Sequence, residues 1–333
     1  MIDTIKGLAT GIGSLPHRNA QEALDLVFKY TPQVPFWPQL PQKNKHEEMI
    51  RQFSENLPLN NKEDDLEEFY GRVLAEDIEY FKISETVASG LYAFKRALKE
   101  AFLKEIKYLK IQTVGPFTLA ASLKKKEGLS LLYDKVLLQV ILKGLNLKAR
   151  WQISIFKPFG KKLILFIDEP YLSSFDFIFS PLSKEEIIST FSEFTESLKE
   201  EDVLLGLHCC GNIDWSIFTE LTAIDIISFD VFNYLDKFLL YAESLKKFLK
   251  RGGTIAWGIV PTYEFNAEED KNSLLEIIQR GIKQLAQKGI DEEMLWQRLM
   301  ITPSCGLGTL DVLKAEKIFS LLSEISQTIQ NHF

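Results

Sequence analysis

The chain has 333 residues, 46% of them hydrophobic and 26% charged, with a formal net charge of −7. That balance is globular and long enough for a sizeable core. The acidic surplus excludes the basic face a nucleic-acid partner requires, and no apolar run reaches the roughly 18 residues of a membrane span. Three cysteines, two of them adjacent, are not a disulfide framework. The expected compartment is the reducing cytoplasm.

Short β-rich runs alternate with long amphipathic ones along the chain. A first strand is predicted at Thr10–Ser14, followed by a helix over Ala20–Tyr30 and a second strand at Val34–Pro38. Residues 40–108 then hold charged, helix-forming stretches at Glu47–Glu55, Lys62–Ala75 and Glu85–Glu100. Strands follow at Leu109–Gly115 and Leu163–Asp168, separated by a helix over Ser130–Ile155. After a helix at Lys184–Lys199 come strands at Val203–Cys210 and Asp225–Asp230, then a helix at Lys237–Arg251. A strand at Thr254–Val260, a helix at Glu268–Lys288 and a strand at Leu299–Thr302 complete the series. Several of these runs are continuously apolar, as strands covered on both faces are. Strands alternating with helices imply βαβ units and a parallel sheet, and eight units close into a (β/α)8 TIM barrel of about 250 residues. The expectation is one barrel domain over residues 1–333. The excess length, residues 40–108, forms a helical insertion after the second strand that covers the barrel mouth. No Gly-rich phosphate turn follows the first strand, so a doubly wound dinucleotide fold fits less well.

In such a barrel the active site lies where strands end, and polar residues collect there. Ser14 ends the first predicted strand and Asp168-Glu169-Pro170 the fourth; His208 and Cys210 end the fifth, Asp230 the sixth, and Cys305 follows the last. Successive strand side chains face opposite ways, so His208 and Cys210 share a side and Cys209 points away. With Asp230 and Cys305 they make a candidate Zn²⁺ site of one nitrogen, two sulfurs and one oxygen. Soft sulfur ligands disfavour Mg²⁺ and Ca²⁺. A buried histidine beside two core cysteines is the competing reading. One carboxylate of Asp168 and Glu169 faces the mouth, as an amine-binding group or a base; a helix cap or structural ion pair is equally open for the pair. Ser14, in Gly11-Ile12-Gly13-Ser14, offers a hydroxyl and neighbouring N–H groups to a carboxylate.

Five patches together resemble the C-terminal catalytic barrel of cobalamin-independent methionine synthases, within the superfamily that includes uroporphyrinogen decarboxylase. They are Ile12-Gly13-Ser14-Leu15-Pro16, Ile167-Asp168-Glu169-Pro170, His208-Cys209-Cys210, the run Asp225–Asp230, and Pro303-Ser304-Cys305-Gly306-Leu307. The resemblance implies zinc on His208, Cys210, Asp230 and Cys305, and homocysteine contacts from Ile12, Ser14 and Asp168. Asp230 replaces the family's glutamate, the His-Gly-Glu motif is not in this sequence, and the expectation is one barrel where the family's larger members have a second, N-terminal one. The implied activity is methyl transfer to a thiol, with methylfolate or a methyl-corrinoid protein as donor. A porphyrin-type decarboxylase and a zinc-stabilised, non-catalytic barrel are the alternatives.

Overall fold

A computed structural model describes residues 5–100, 104–125, 127–174, 182–266 and 269–332. Within the stretch 40–108, residues 101–103 lie outside the described residues, as does Glu268 at the predicted helix start. The strands are β1 (Leu8–Ala9), β2 (Tyr108–Val114), β3 (Lys162–Asp168), β4 (Val203–Cys209), β5 (Ile224–Asp230), β6 (Thr254–Val260) and β7 (Leu299–Pro303). The helices that pack around and between them are α1 (Ala20–Tyr30), α2 (Met49–Ser54), α3 (Glu63–Leu74), α4 (Ser89–Glu100), α5 (Pro116–Ser122), α6 (Lys135–Phe156), α7 (Lys184–Glu196), α8 (Trp215–Glu220), α9 (Val231–Phe238), α10 (Ala242–Lys250), α11 (Lys271–Gln287), α12 (Glu292–Gln297) and α13 (Val312–His332). All strand pairs are parallel and the sheet order is β1-β7-β6-β5-β4-β3-β2. This is an α/β, TIM-barrel-like curled sheet. Among the described residues no helix is long and apolar enough to cross a membrane.

The count of eight strands needs one correction. The predicted second strand, Val34–Pro38, is not a ladder strand: it touches the sheet through isolated parallel bridges, Phe36 to Lys110 and, just beyond it, Gln39 to Ser14. Pro35 and Pro38 have no N–H to donate, which breaks any continuous ladder. The segment nonetheless bonds both sheet edges. Lys107 N donates to Gln33 O (2.8 Å) and Lys110 N to Pro35 O (2.9 Å) on the β2 side. Gln39 N donates to Gly13 O (3.0 Å) and Leu15 N to Gln39 O (2.9 Å) on the other.

Period-two alternation sorts the strand residues into two cores. Leu163, Leu165 and Ile167 of β3, with Leu205, Leu207 and Cys209 of β4, join the large cluster under the helices. Ile164 and Phe166, Ile226, Ala256 and Met300 join a small cluster on the other side, inside the curl. Gly206 is the inward residue of β4 beside Phe166: a Cβ there would lie 2.5 Å from the Phe166 ring. The phenyl ring fills the volume that a side chain at 206 would need.

The fully buried Lys110 of β2 also lies in this interior. Its Nζ donates to Ile12 O (2.5 Å) and to Gln112 Oε1 (3.1 Å), and sits over the rings of Phe166 (4.7 Å) and Phe36 (5.6 Å). Gln112 Nε2 donates in turn to Trp37 O (2.8 Å), Trp37 Nε1 to Gln152 Oε1 (3.1 Å), and Gln152 Nε2 to Gln112 O (3.1 Å). The irregular segment carrying Trp37 is thereby stitched to β2 and α6 by side chains where the backbone ladder fails.

The close approach at Gly206 sets a first expectation. Gly206→Ala will lower stability by about 1–3 kcal/mol, the cost of overpacking a filled core. The midpoint of urea unfolding checks it, and an unchanged midpoint would show that Phe166 yields freely.

Candidate metal centre

The inward positions at the upper ends of β3, β4 and β5 are polar and level with one another. His208 pairs in register with Asp168 on one side and Ser228 on the other. His208 is 3% exposed, and its Nδ1 lies 3.0 Å from Ser228 Oγ. That contact fixes the ring and leaves Nε2 buried, with no hydrogen-bond partner among the described residues. His208, Cys210 and Cys305 each place one ligand atom within 4.8 Å of the others.

Cys305 arrives from two residues past β7, in a loop held on several sides. Ser304 N donates to Val260 O (2.9 Å), and Ser304 Oγ lies 3.2 Å from Thr262 Oγ1. Leu307 N donates to Ser14 O (2.9 Å), and Gly308 N to Ser14 Oγ (3.2 Å). A Cβ on Gly306 would fall 2.3 Å from Ser14 Oγ, so this loop closes on Ser14 only because residue 306 is glycine. The Ser14 turn thus positions the sulfur of Cys305 opposite β4.

The electrostatics of the cluster are set by the closeness of its two sulfurs and by burial. The nearby Cys210 sulfur and His208 hold Cys305 below the usual thiol range, while the same sulfur contact and burial push Cys210 above it. A metal takes thiolates and neutral imidazole. One buried imidazole nitrogen without a partner, flanked by two sulfurs, fits zinc by softness and number of donors. Cys209 faces the helices; burial pushes its thiol up to about 12, which makes it a poor ligand. Burial also raises Asp168 to about 6, with His208 and Lys110 pulling the other way. Burial lowers Lys110 to about 7 against the pull of Asp168.

Ile12, Ser14, Asp168, His208, Cys210 and Cys305 all line one cavity of about 370 Å³. Two predicted residues stand elsewhere. Asp230 is not within the cluster of three: β5 runs straight into α9, and Asp230 caps that helix, accepting from Asn233 N (3.0 Å) and Asn233 Nδ2 (2.8 Å). Glu169 turns away from the cavity. Its oxygens accept from Phe117 N (2.9 Å), Thr118 N (2.8 Å) and Thr118 Oγ1 (2.6 Å), capping α5 from outside the helix. Gly115 permits this approach, since a Cβ there would lie 2.1 Å from the Glu169 carboxyl. Three functional candidates went unread in the sequence. Ser228 is an ordinary strand serine until its register against His208 is known. Glu47 and Tyr263 reach the cavity from loops.

No family model matches the chain, and no curated protein matches it. Among solved structures, 34 chains match. One is a B12-independent methionine synthase from Shewanella sp. W3-18-1 in complex with selenomethionine, 17% identical at a TM-score of 0.50. The match covers 72% of this chain and 66% of that one, so the present chain spans a little under two thirds of that structure. At this identity the likeness concerns the fold.

Two outcomes follow from the geometry. Ser228→Ala will weaken zinc binding about 10- to 100-fold by freeing the His208 ring, measured by competition with a chromophoric chelator; unchanged affinity would remove Ser228 from the centre. The second concerns pH. Burial raises Glu169 from 4.5 to about 7, against the hydrogen bonds from α5. The folded protein keeps this proton through a window in which the unfolded chain releases it. The group's stabilising contribution is therefore complete below about pH 4.5 and is lost as pH rises towards 7. Glu169→Gln will flatten that part of the stability profile, and an unaltered slope in denaturation series across the window would exclude it.

Proposed function

We propose that the chain is an enzyme that transfers a methyl group to the sulfur of a small thiol, homocysteine by the resemblance of its motifs. The observation that carries this reading is the buried, partnerless Nε2 of His208 beside the sulfurs of Cys210 and Cys305. All three residues line a cavity of small-ligand size. His208, Cys210 and Cys305 would hold the zinc ion. Asp230 would complete the set by releasing Asn233; in support, it lies near enough for the charges of Cys305 and His208 to act on it. The fold reading is a single (β/α)8 barrel over residues 1–333, in which the irregular segment around Val34–Pro38 takes the place of a second ladder strand. Its support is the bonding of residues 33–39 to both sheet edges. Residues 40–108 are read as a helical insertion over the mouth, and Glu47, Glu48, Met49 and Ile50 line the cavity.

A bound zinc ion supplies one thing, a coordinating thiol held deprotonated at neutral pH. The other tasks fall to the chain. Ile12 and Ser14 form the wall that receives the thiol's backbone, and Asp168 offers a buried carboxyl to its polar end. Met49, Ile50 and Pro170 give the remaining wall an apolar surface that excludes water. Holding donor and acceptor in one orientation removes much of the entropic barrier to a two-reactant transfer. One sulfur–carbon bond forms as the donor's bond to the same carbon breaks.

Cys210→Ser and Cys305→Ser are each expected to lower bound zinc and to reduce methyl transfer to homocysteine by more than about a hundredfold, while Cys209→Ser changes neither. Metal analysis and assays with methylfolate and with a methyl-corrinoid protein as alternative donors check this. Full zinc content and full activity in both cysteine variants would refute the site. Turnover with only one donor decides which it is.

A further inference from the structure

One buried cation in the barrel interior has no part in the chemistry described above. Lys110 on β2 is fully buried, and its Nζ reaches across the gap between the two sheet edges to Ile12 O at 2.5 Å. An ammonium group in such a place is costly, and an apolar side chain of the same volume would avoid that cost. What the ammonium holds is a carbonyl that no strand serves. β1 ends at Ala9, and no backbone N–H among the described residues reaches Ile12 O. The segment around Val34–Pro38 meets the sheet only at isolated bridges. A buried carbonyl left without a donor costs as much as a lost hydrogen bond, and Lys110 Nζ supplies that donor.

The turn fixed in this way leads to the metal cluster. Gly13 O accepts from Gln39 N (3.0 Å), Ser14 O from Leu307 N (2.9 Å) and Ser14 Oγ from Gly308 N (3.2 Å). Leu307 and Gly308 follow Cys305 in the same loop, and the close approach of Gly306 to Ser14 Oγ leaves that loop no room to shift towards the turn. A line of contacts therefore runs from β2 through Lys110, Ile12 and Ser14 to Cys305, whose sulfur lies within 4.8 Å of ligand atoms of His208 and Cys210. Lys110 itself is not part of the cavity wall. We propose that Lys110 is a positioning residue: it anchors the Ile12–Ser14 turn and, through that turn, keeps the Cys305 sulfur within reach of His208 and Cys210. This rests on the metal reading above and adds to it a residue that touches neither the metal nor the thiol.

Zinc affinity, read by competition with a chromophoric chelator, tests it in the wild-type protein, Lys110→Met, Ser14→Ala and the double variant. Each single variant is expected to weaken zinc binding about 10- to 100-fold, the scale of a lost support to a metal ligand. Because both act through one turn, the double variant is expected to lose no more than the worse single one. Cobalt(II)-loaded Lys110→Met is expected to show a weaker thiolate-to-metal absorption band, a signature that lowered stability alone does not move. Lys148→Met is the control. Lys148 on α6 is also fully buried, its Nζ has no hydrogen-bond partner among the described residues, and it lies outside the cavity wall; its removal is expected to leave zinc affinity unchanged. Should Lys110→Met not fold, Lys110→Gln takes its place: its uncharged amide ends one atom short of Nζ, and a smaller loss in the same direction is expected. Wild-type zinc affinity in the folded Lys110 variant overturns the proposal. So do additive losses in the double variant, which would mean that Lys110 and Ser14 act separately. An equal loss from Lys148→Met also overturns it, as a general effect of removing a buried charge. A wild-type protein that binds no zinc is a different result: it overturns the metal reading itself, and this proposal with it.

Discussion

The candidate site depends on the parallel register of three neighbouring strands. β3, β4 and β5 run level, so Asp168, His208 and Ser228 emerge side by side at the same height on the same face. A parallel ladder has evenly spaced bonds, and a one-residue slip would turn every inward group outward. Ser228 then pins one nitrogen of the imidazole and leaves the other free. Everything proposed about metal binding follows from that alignment, because it directs an imidazole nitrogen towards the sulfur of Cys210, two residues on, and that of Cys305 from the far end of the chain.

Below the site the sheet interior is unusually polar. Lys110, Gln112 and Asp168 are buried there with Phe166 and Ile164. A cation in such surroundings has to be solvated by the protein. Carbonyl and amide oxygens do this for Lys110, assisted by two aromatic faces. The same network ties the proline-broken segment around Trp37 to its neighbours. The polar interior thus serves two ends: it places charge near Asp168, and it closes the gap between the sheet edges where backbone bonds are few.

A carboxylate at a strand end takes its role from the element that comes next in the chain or packs beside it. Asp168 stays in the cavity, which Pro170 also lines. Glu169, one residue on, faces the opposite side, where α5 begins with Gly115 and Pro116 and lacks a side-chain cap of its own. Asp230 is taken up by α9, which starts at the next residue. A helix N-terminus is a strong competitor for a carboxylate, since it presents several unpaired N–H groups and a partial positive charge.

Much of this was legible in the sequence. Apolar runs bounded by polar strand ends located six of the ladder strands to within a few residues, and period two assigned His208 and Cys210 to one side and Cys209 to the other. Those features are local consequences of backbone geometry. The run Val34–Pro38 misled, because its apolar content says strand while its prolines forbid a ladder, and periodicity cannot weigh the two. Glu47, Ser228, the capping of α9 by Asp230 and the seat of Glu169 on α5 were not legible. Each depends on which segment lies opposite, and sequence spacing carries no such information: Ser228 is 20 residues from its histidine and Glu169 is 51 from Thr118. The sequence by itself determined the strand–helix alternation and which ligand types were available. Tertiary structure alone decided which of those groups meet, because long-range register and helix placement are set by packing across the whole sheet.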